Sequence, residues 1–299
     1  MSSKLTTEER GVPKARPALS SLIKWVGVAP FLIFVALFVF LPSVSLLMGS
    51  FRNNAGEFTL KNFVDLADPG ILSAYGVSIR ISLATAGMGG LLGFFMAYAV
   101  TLGGLPPWVR AGLLTFSGVA SNFAGVPLAF AFIATMGRTG MVTVLLKLLG
   151  VDLYGAGFSL YSFWGLSLTY MYFQFPLMVL IITPALDGLK SDWREAAENL
   201  GATPAQYWRM VALPILTPAI LGTMILLFGN AFGAYATALS LTGGFINLVT
   251  VLIGSQIKGD VLHNPGLGYA LAIGMVAVMA VAMTAYYFLR RRSERWLKL

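Results

Sequence analysis

The 299-residue sequence has no cysteine, one histidine and few charged side chains, since Lys, Arg, Asp and Glu together make up only 11% of it. Soluble globular domains carry about 25% charged residues, so this composition argues against one. The lack of cysteine excludes a disulfide-stapled secreted fold and leaves almost no ligands for zinc or iron–sulfur chemistry. Hydrophobic residues are abundant, at 57%, and the mean hydropathy is +0.79. We therefore expect a single polytopic membrane domain.

Six apolar stretches are long enough to cross a bilayer, which takes about 20 helical residues. They are Trp25–Met48, Ile81–Leu102, Ala111–Thr135, Phe158–Leu186, Ile215–Leu239 and Leu267–Leu289, and none contains Asp, Glu, Lys or Arg. Two further apolar runs, Met141–Leu149 and Phe245–Ile257, are too short to span and are interpreted as re-entrant or interfacial helices. The sequence thus predicts an all-α polytopic membrane protein with six transmembrane helices.

Basic residues are distributed unevenly about these spans. Of the 20 Lys and Arg residues, 14 fall on the side of the chain ends and 6 on the other side. Because an excess of positive charge marks the cytoplasmic side, both termini are predicted to be cytoplasmic in a plasma (inner) membrane. The net charge of +8 is spread over chain ends and interhelical loops. It therefore indicates membrane topology and contact with lipid, and no nucleic acid partner is expected.

One long loop on the positive side, residues 187–214, joins the fourth and fifth spans. It reads DGLKSDWREAAENLGATPAQYWRMVALP. Asp192 is predicted to cap a short helix, with Glu195 three residues on as the partner in a capping box. Gly201 lies where a helix end favours a left-handed residue, and Thr203 then caps a second helix that leads into the fifth span.

The first loop helix is predicted to be amphipathic, with Trp193, Ala196, Ala197 and Leu200 on one face. One interpretation is a loop that rests on the membrane surface. The other is a docking helix, because the two alanines make this face small enough for a groove in another protein.

The loop resembles the EAA motif of the membrane subunits of binding-protein-dependent ABC importers. The residues that carry the resemblance, with Val where the motif usually has Ile, are Glu195, Ala196, Ala197, Gly201, Val211, Leu213 and Pro214. Residues 78–285 resemble the type I importer permease domain, after a cytoplasmic tail (1–24) and a first span with its external loop (25–77). A basic cytoplasmic end (286–299) follows.

The resemblance implies that the first loop helix is a coupling helix seated in a groove of a cytoplasmic ATPase. It also implies a transporter of two ATPase subunits, a second permease subunit (the same or a related chain) and an extracytoplasmic substrate-binding protein. The sequence has no GxxxxGK[ST] phosphate loop. ATP and Mg²⁺ are therefore expected on the partner ATPase, and no catalytic site, metal or cofactor is expected on this chain.

The substrate is open at this point. The segments DWREAAENLGA and FGNAFGAYATA resemble the polyamine, ferric-iron, thiamine and phosphonate-type branch, which favours a polyamine-like solute such as spermidine or putrescine. An ion-coupled secondary transporter is the alternative function. Such proteins usually carry an ionisable group within the membrane, which these spans lack, although backbone carbonyls also bind sodium.

Four polar or aromatic residues within the spans are candidates for the translocation path. Asn122, Gln174 and Asn230 carry amides, and Tyr170 offers a ring face to a cationic substrate. The alternative for the amides is helix–helix hydrogen bonding, worth about 0.6–2 kcal/mol in membranes. For Tyr170 the alternative is packing or contact with lipid.

Overall fold

A computed structural model of the protein describes residues 27–258 and 263–294; the predicted tail (1–24), Trp25 and residues 295–299 lie outside the described residues. The described part is helical, and its only extended pairing is an isolated bridge between Arg52 and Phe58. The helices are α1 Gly27–Ser50, α2 Lys61–Asp65, α3 Pro69–Leu102, α4 Pro107–Asn122, α5 Gly125–Met136, α6 Met141–Leu148, α7 Phe163–Asp187, α8 Ser191–Asn199, α9 Pro204–Phe232, α10 Tyr235–Thr242, α11 Val249–Lys258 and α12 Pro265–Glu294.

Six helical segments of the described chain are long and apolar enough to cross a membrane, which confirms the predicted number of spans. These segments are Gly27–Ser50, Pro69–Leu102, Gly125–Leu148, Phe163–Asp187, Pro204–Phe232 and Pro265–Arg292. The second begins twelve residues before the predicted Ile81. Its start is set by Asp68, whose side chain accepts the Gly70 N–H at 2.7 Å, and by Pro69 in the first turn, where a missing N–H costs nothing.

The predicted third and fifth spans are each broken. The predicted bounds Ala111–Thr135 were wrong, since the third segment long enough to span is Gly125–Leu148 and α4 precedes it. Within the predicted third span, α4 ends at Asn122 and α5 begins at Gly125, which has a φ of +74°. Within the fifth, α9 ends at Phe232 and α10 begins at Tyr235, after Ala234 leaves helical geometry with a ψ of 84°. Hydropathy does not reveal such breaks, because the residues on both sides of each break are equally apolar.

The two short apolar runs are both helical. The first, Met141–Leu148, belongs to the segment Gly125–Leu148, which is long enough to span, so its interpretation as a separate re-entrant or interfacial helix is corrected. The interfacial position of the second stays a prediction. Met141–Leu148 has eight residues and Val249–Lys258 has ten. The second begins four residues later than its apolar run, because Gly243 and Gly244 both have positive φ and form a turn before it.

The described residues divide into two compact units, with the boundary between residues 49 and 50. In the second unit, α3 and α7 pack closely because glycines of α3 face α7. A Cβ on Gly89 would lie 2.7 Å from the Cβ of Gln174, and one on Gly93 would lie 2.5 Å from the Cβ of Met178. The Gly89–Gly93 pair therefore allows the close approach expected of a GxxxG motif.

Two helices contain a π-helical turn directly before a Leu-Pro pair. In α9 this turn is Trp208–Ala212, followed by Leu213 and Pro214, and the Leu213 N–H bonds the carbonyl of Trp208 five residues back. Within the first unit, the turn Ala36–Phe40 of α1 precedes Leu41 and Pro42 in the same way. Proline lacks an N–H, and its ring clashes with the carbonyl four residues earlier. A wider turn at that carbonyl relieves the clash.

Candidate functional site

The long loop folds as two helices joined by a tight glycine turn. Helix α8 ends at Asn199, and Gly201 has a φ of +78°, as predicted. The Ala202 N–H donates to the Ala197 carbonyl, and the Gly201 N–H donates to the Glu198 carbonyl, both at 2.9 Å. These two bonds make a Schellman motif, which satisfies carbonyls that the helix end would leave unpaired.

The start of the second loop helix is also as predicted. The Thr203 hydroxyl accepts the Gln206 N–H, and the Gln206 side chain accepts the Thr203 N–H at 2.7 Å, which completes a capping box. The predicted cap of α8 was wrong. Helix α8 begins at Ser191 after Lys190, without a side-chain cap, so Asp192 lies inside the first turn. There its carboxylate still favours the positive end of the helix dipole.

Ala197 is buried inside this chain. It is 9% exposed and packs in a small core with Tyr207 and Ala212, which are 8% and 0% exposed. The Schellman turn produces this contact because it returns the chain across α8. The expectation that Ala196 and Ala197 form one outward docking face is therefore corrected: Ala196 is exposed and Ala197 is not.

The outward side of α8 carries exposed apolar groups. Leu200 is 88% exposed, Trp193 is 36% exposed, and Ala196 and Glu195 are also exposed. Leu200 directly follows this short polar helix and is an apolar side chain that the described residues leave uncovered. Val211 is half-buried against the Ala197 core, whereas Leu213 and Pro214 lie beyond the π turn, where α9 becomes apolar.

Two ion pairs orient the loop. Arg110, near the start of α4, donates from Nη2 to both carboxylate oxygens of Asp187, at 2.8 and 2.6 Å, where α7 ends. On α8, Arg194 donates from Nε to Glu198 at 2.8 Å, and this bond raises the pKa of Arg194. Both pairs are partly solvent-exposed, so they orient side chains more than they stabilise the fold.

A second candidate site lies where the two broken spans meet. The N–H of Gly125, at the start of α5, donates to the hydroxyl of Thr237 on α10 at 2.8 Å. A cavity of about 460 Å³ lies at the two breaks, and its lining includes Ser121, Phe173 and Asn230. All its lining residues are uncharged; they are Ser121, Ala124, Gly125, Phe173, Gly229, Asn230, Gly233, Ala234, Tyr235, Ala236 and Thr237.

The four path candidates occupy different positions. Asn230 is exposed and lines the cavity. Asn122 is exposed at the end of α4, and its amide donates to the Gly118 carbonyl at 2.9 Å. Tyr170 is buried and donates its hydroxyl to the Ala234 carbonyl at 2.7 Å, so it satisfies the backbone at the break. Gln174 is fully buried and donates to the Leu227 carbonyl at 2.9 Å, joining α7 to α9.

Gly125 and Thr237, which join the two breaks, were not predicted as functional residues. The sequence signal at Gly125 is the run Gly-Val-Pro, because Pro127 has no N–H to offer a continuing helix. Nothing in the local sequence marks Thr237, whose role depends on a contact 112 residues away.

The fold and the loop are shared with proteins of known class. A family model for the binding-protein-dependent transport system inner membrane component matches residues 89–295, well over half of the chain and including the whole loop. The chain belongs to this family. It is therefore an ABC importer permease, a multi-pass membrane protein of a family that is not itself catalytic.

Individual relatives come from two substrate classes. The probable sulfate transport system permease protein cysT of Prototheca wickerhamii is 26% identical over 231 residues, which cover 75% of this chain and 87% of that protein. The spermidine/putrescine transport system permease protein PotB of Haemophilus influenzae is 25% identical over 272 residues, covering 88% of this chain and 92% of that one.

A solved structure has the same fold. The bacterial alginate ABC transporter in complex with alginate pentasaccharide-bound periplasmic protein contains a chain that aligns with a TM-score of 0.72 and 15% identity. The alignment covers 92% of this permease and 96% of that chain.

Proposed function

We propose that this permease forms half of the translocation path of an ATP-driven importer, with α8 as the helix that binds a cytoplasmic ATPase. The observation that carries the proposal is the outward side of α8 and its C-cap, where Leu200 is 88% exposed directly before the left-handed turn at Gly201. A second permease subunit, two ATPase subunits and an external binding protein would complete the assembly. ATP and Mg²⁺ would be bound by the ATPase.

The geometry supports a direct mechanical link from the loop to the path. The Ala197 core fastens α8 to the start of α9, and α9 runs without interruption to Phe232, next to the cavity. A displacement of α8 would therefore move the C-terminal end of α9, which lies next to the cavity that Asn230 lines. In this proposal the ATPase drives that displacement, and the cavity opens alternately to the two sides of the membrane.

In this proposal the residues that contact the ATPase are Trp193, Glu195 and Ala196 of α8 and Leu200 directly after it, because all four are exposed. Ala197 and Gly201 act indirectly, by holding the helix pair together. A bulky side chain at Ala197 would disturb the chain's own core, so substitution there does not test docking.

Docking is tested by Leu200→Asp in the full transporter. A carboxylate on the buried face of a protein interface is costly unless it is paired, so we expect the ATPase subunit to co-purify at less than a tenth of the normal amount and uptake to fall equally. Leu60→Asp is the control, because Leu60 is 56% exposed on the predicted external side. Normal ATPase binding by the Leu200 variant, at normal expression, would contradict the proposal.

For the substrate, we propose a small charged solute, with sulfate and polyamines as the two candidates. The relatives support both, so the polyamine expectation has no advantage over sulfate. The cavity lining is neutral and offers hydroxyl, amide and backbone groups, which suit an anion through N–H and O–H donors and a cation through carbonyls and the Phe173 ring.

The substrate is tested with the whole transporter in vesicles that contain ATP, with ion gradients dissipated by an ionophore. We expect uptake of either labelled sulfate or labelled spermidine, dependent on the external binding protein. Transport that stops when the gradients collapse while ATP remains would favour the ion-coupled alternative. Uptake of neither solute would exclude both substrate candidates.

A further inference from the structure

A cavity of about 520 Å³ opens at the side of the protein that carries the loop, between the lower part of α9 and the end of α12. Two arginines belong to its lining, Arg209 from α9 and Arg292 from α12, and both are exposed. The remaining lining is mostly apolar and includes Leu213, Leu221 and Leu289. The cavity therefore combines two cationic groups with an apolar wall.

A second cavity, of about 430 Å³, lies between α3, α9 and α12 and shares Leu221 and Leu289 with the first. Among its lining residues only Tyr286 carries a polar side-chain group. The shared residues make the two cavities neighbours, with the arginines at the end nearer the loop. We refer to the two adjacent cavities together as the groove, with the first as its cationic end and the second as its apolar body.

We propose that this groove binds one anionic phospholipid of the leaflet on the loop side, predicted to be cytoplasmic. The phosphate would lie between Arg209 and Arg292, since guanidinium groups match phosphate oxygens in geometry and charge. An acyl chain would fill the apolar body. Basic pockets between transmembrane helices on the cytoplasmic side are typical sites for anionic headgroups.

Charge decides between a lipid and a protein helix as the occupant. A helix from a second copy of the chain would cover the apolar body, but it would leave the two arginines at one end without a negatively charged partner. An anionic phospholipid uses both parts. Because Leu213 and Pro214 also line the cationic end, the bound lipid would lie against the π turn that joins the loop to the span.

The headgroup end is tested on the purified full-length chain in detergent, with phosphatidylglycerol and phosphatidylcholine of identical acyl chains added in equal amounts. Native mass spectrometry counts the lipids retained. We expect the unmodified chain to prefer phosphatidylglycerol. This preference should fall about fivefold in each of the single variants Arg209→Gln and Arg292→Gln, which is the affinity that one cation near the membrane surface contributes towards anionic lipid. Arg291→Gln is the matched control, because Arg291 lies over the Tyr287 ring at 4.4 Å and does not line the cavity.

The apolar body is tested by Gly87→Phe. Gly87 lines the second cavity, and a Cβ there meets no atom within 4 Å, so the ring has room to enter the groove. Gly76→Phe is the control, since Gly76 lies on the same helix with equally open space and lies outside both cavities. We expect loss of phosphatidylglycerol only in the Gly87 variant. Unchanged elution and helical circular dichroism would show that each variant is folded.

Three outcomes would overturn the proposal. The first is equal retention of the two lipids by the unmodified chain, and the second is an equal loss in Arg291→Gln, which would indicate a diffuse charge effect. The third is a Gly87→Phe variant that keeps its lipid but loses self-association, which would assign the groove to a second copy of the chain.

Discussion

Ala196 and Ala197 are adjacent in α8 and have opposite surroundings. Ala196 is exposed, whereas Ala197 packs against Tyr207 and Ala212. A helix advances 100° per residue, so neighbouring side chains point in different directions and only one of the pair faces the returning chain. The small size of Ala197 is thus explained by packing within the permease, and that of Ala196 by the proposed contact with the ATPase.

The left-handed turn at Gly201 gives a prediction at the same scale. Gly201→Ala forces a side chain into a φ of +78°, at a cost of roughly 1–2 kcal/mol, although a Cβ there meets no atom within 4 Å. We expect faster tryptic cleavage of the loop at Lys190 and Arg194. Gly188→Ala is the control, because Gly188 has a φ of −74° at the end of α7. Equal cleavage rates in the two variants would contradict the strain argument.

The local sequence was sufficient to predict some loop residues and not others. Gly201 and the Thr203 capping box were predictable because each depends on groups within three or four residues. The burial of Ala197 was not, since it depends on where α9 returns. Asp192 was mistaken for a cap because Asp is a common capping residue, but the helix begins one residue before it.

At the scale of the helices, side chains from other helices hydrogen-bond the backbone at each of the two breaks. Each break leaves backbone groups that no helix satisfies, and such groups are costly in a membrane. Tyr170 supplies a donor to the Ala234 carbonyl, and Thr237 supplies an acceptor to the Gly125 N–H. The breaks persist because side chains from other helices replace the lost helical hydrogen bonds.

Removing one of these side-chain hydrogen bonds should destabilise the structure at the two breaks. Thr237→Val keeps the shape of the side chain but leaves the Gly125 N–H without its acceptor. The cost is about 1–3 kcal/mol for a fully buried group and less for this part-buried N–H, which lines the cavity. We expect a lower thermal unfolding midpoint in detergent and faster hydrogen exchange at Gly125. Thr242→Val is the control on the same helix, because the Thr242 hydroxyl bonds only the Ala238 carbonyl of its own helix. Similar shifts in both variants would mean that the link between the breaks contributes little.

The number of spans followed from hydropathy, but their internal breaks did not. Hydropathy measures the transfer of side chains to lipid. It is insensitive to a turn whose backbone N–H and C=O groups are hydrogen-bonded by other helices. The local sequence does not predict the π turns either. A Leu-Pro pair follows both of them, yet Pro176 and Pro184 lie within α7 without producing one.

At the scale of the whole molecule, charged and uncharged groups line different cavities. The cavity at the breaks has a neutral lining, whereas Arg209 and Arg292 lie at the end nearer the loop. The lining of the cavity at the breaks offers no charged group for ion coupling, in agreement with the proposed ATP-driven import. Membership of the binding-protein-dependent family argues in the same direction.

The orientation of the protein in the membrane is predicted from its charge distribution. With 14 of the 20 basic residues on the side of the loop, the positive-inside rule places that side in the cytoplasm. Because the chain has no cysteine, Asn199→Cys in α8 and Asn54→Cys between α1 and α2 provide single exposed thiols on opposite sides. In intact cells an impermeant maleimide should label only the Asn54 variant, and in inside-out vesicles only the Asn199 variant. The reverse pattern would invert the topology and place α8 out of reach of any cytoplasmic ATPase. Labelling of both variants in intact cells would contradict an odd number of membrane crossings between Asn54 and Asn199.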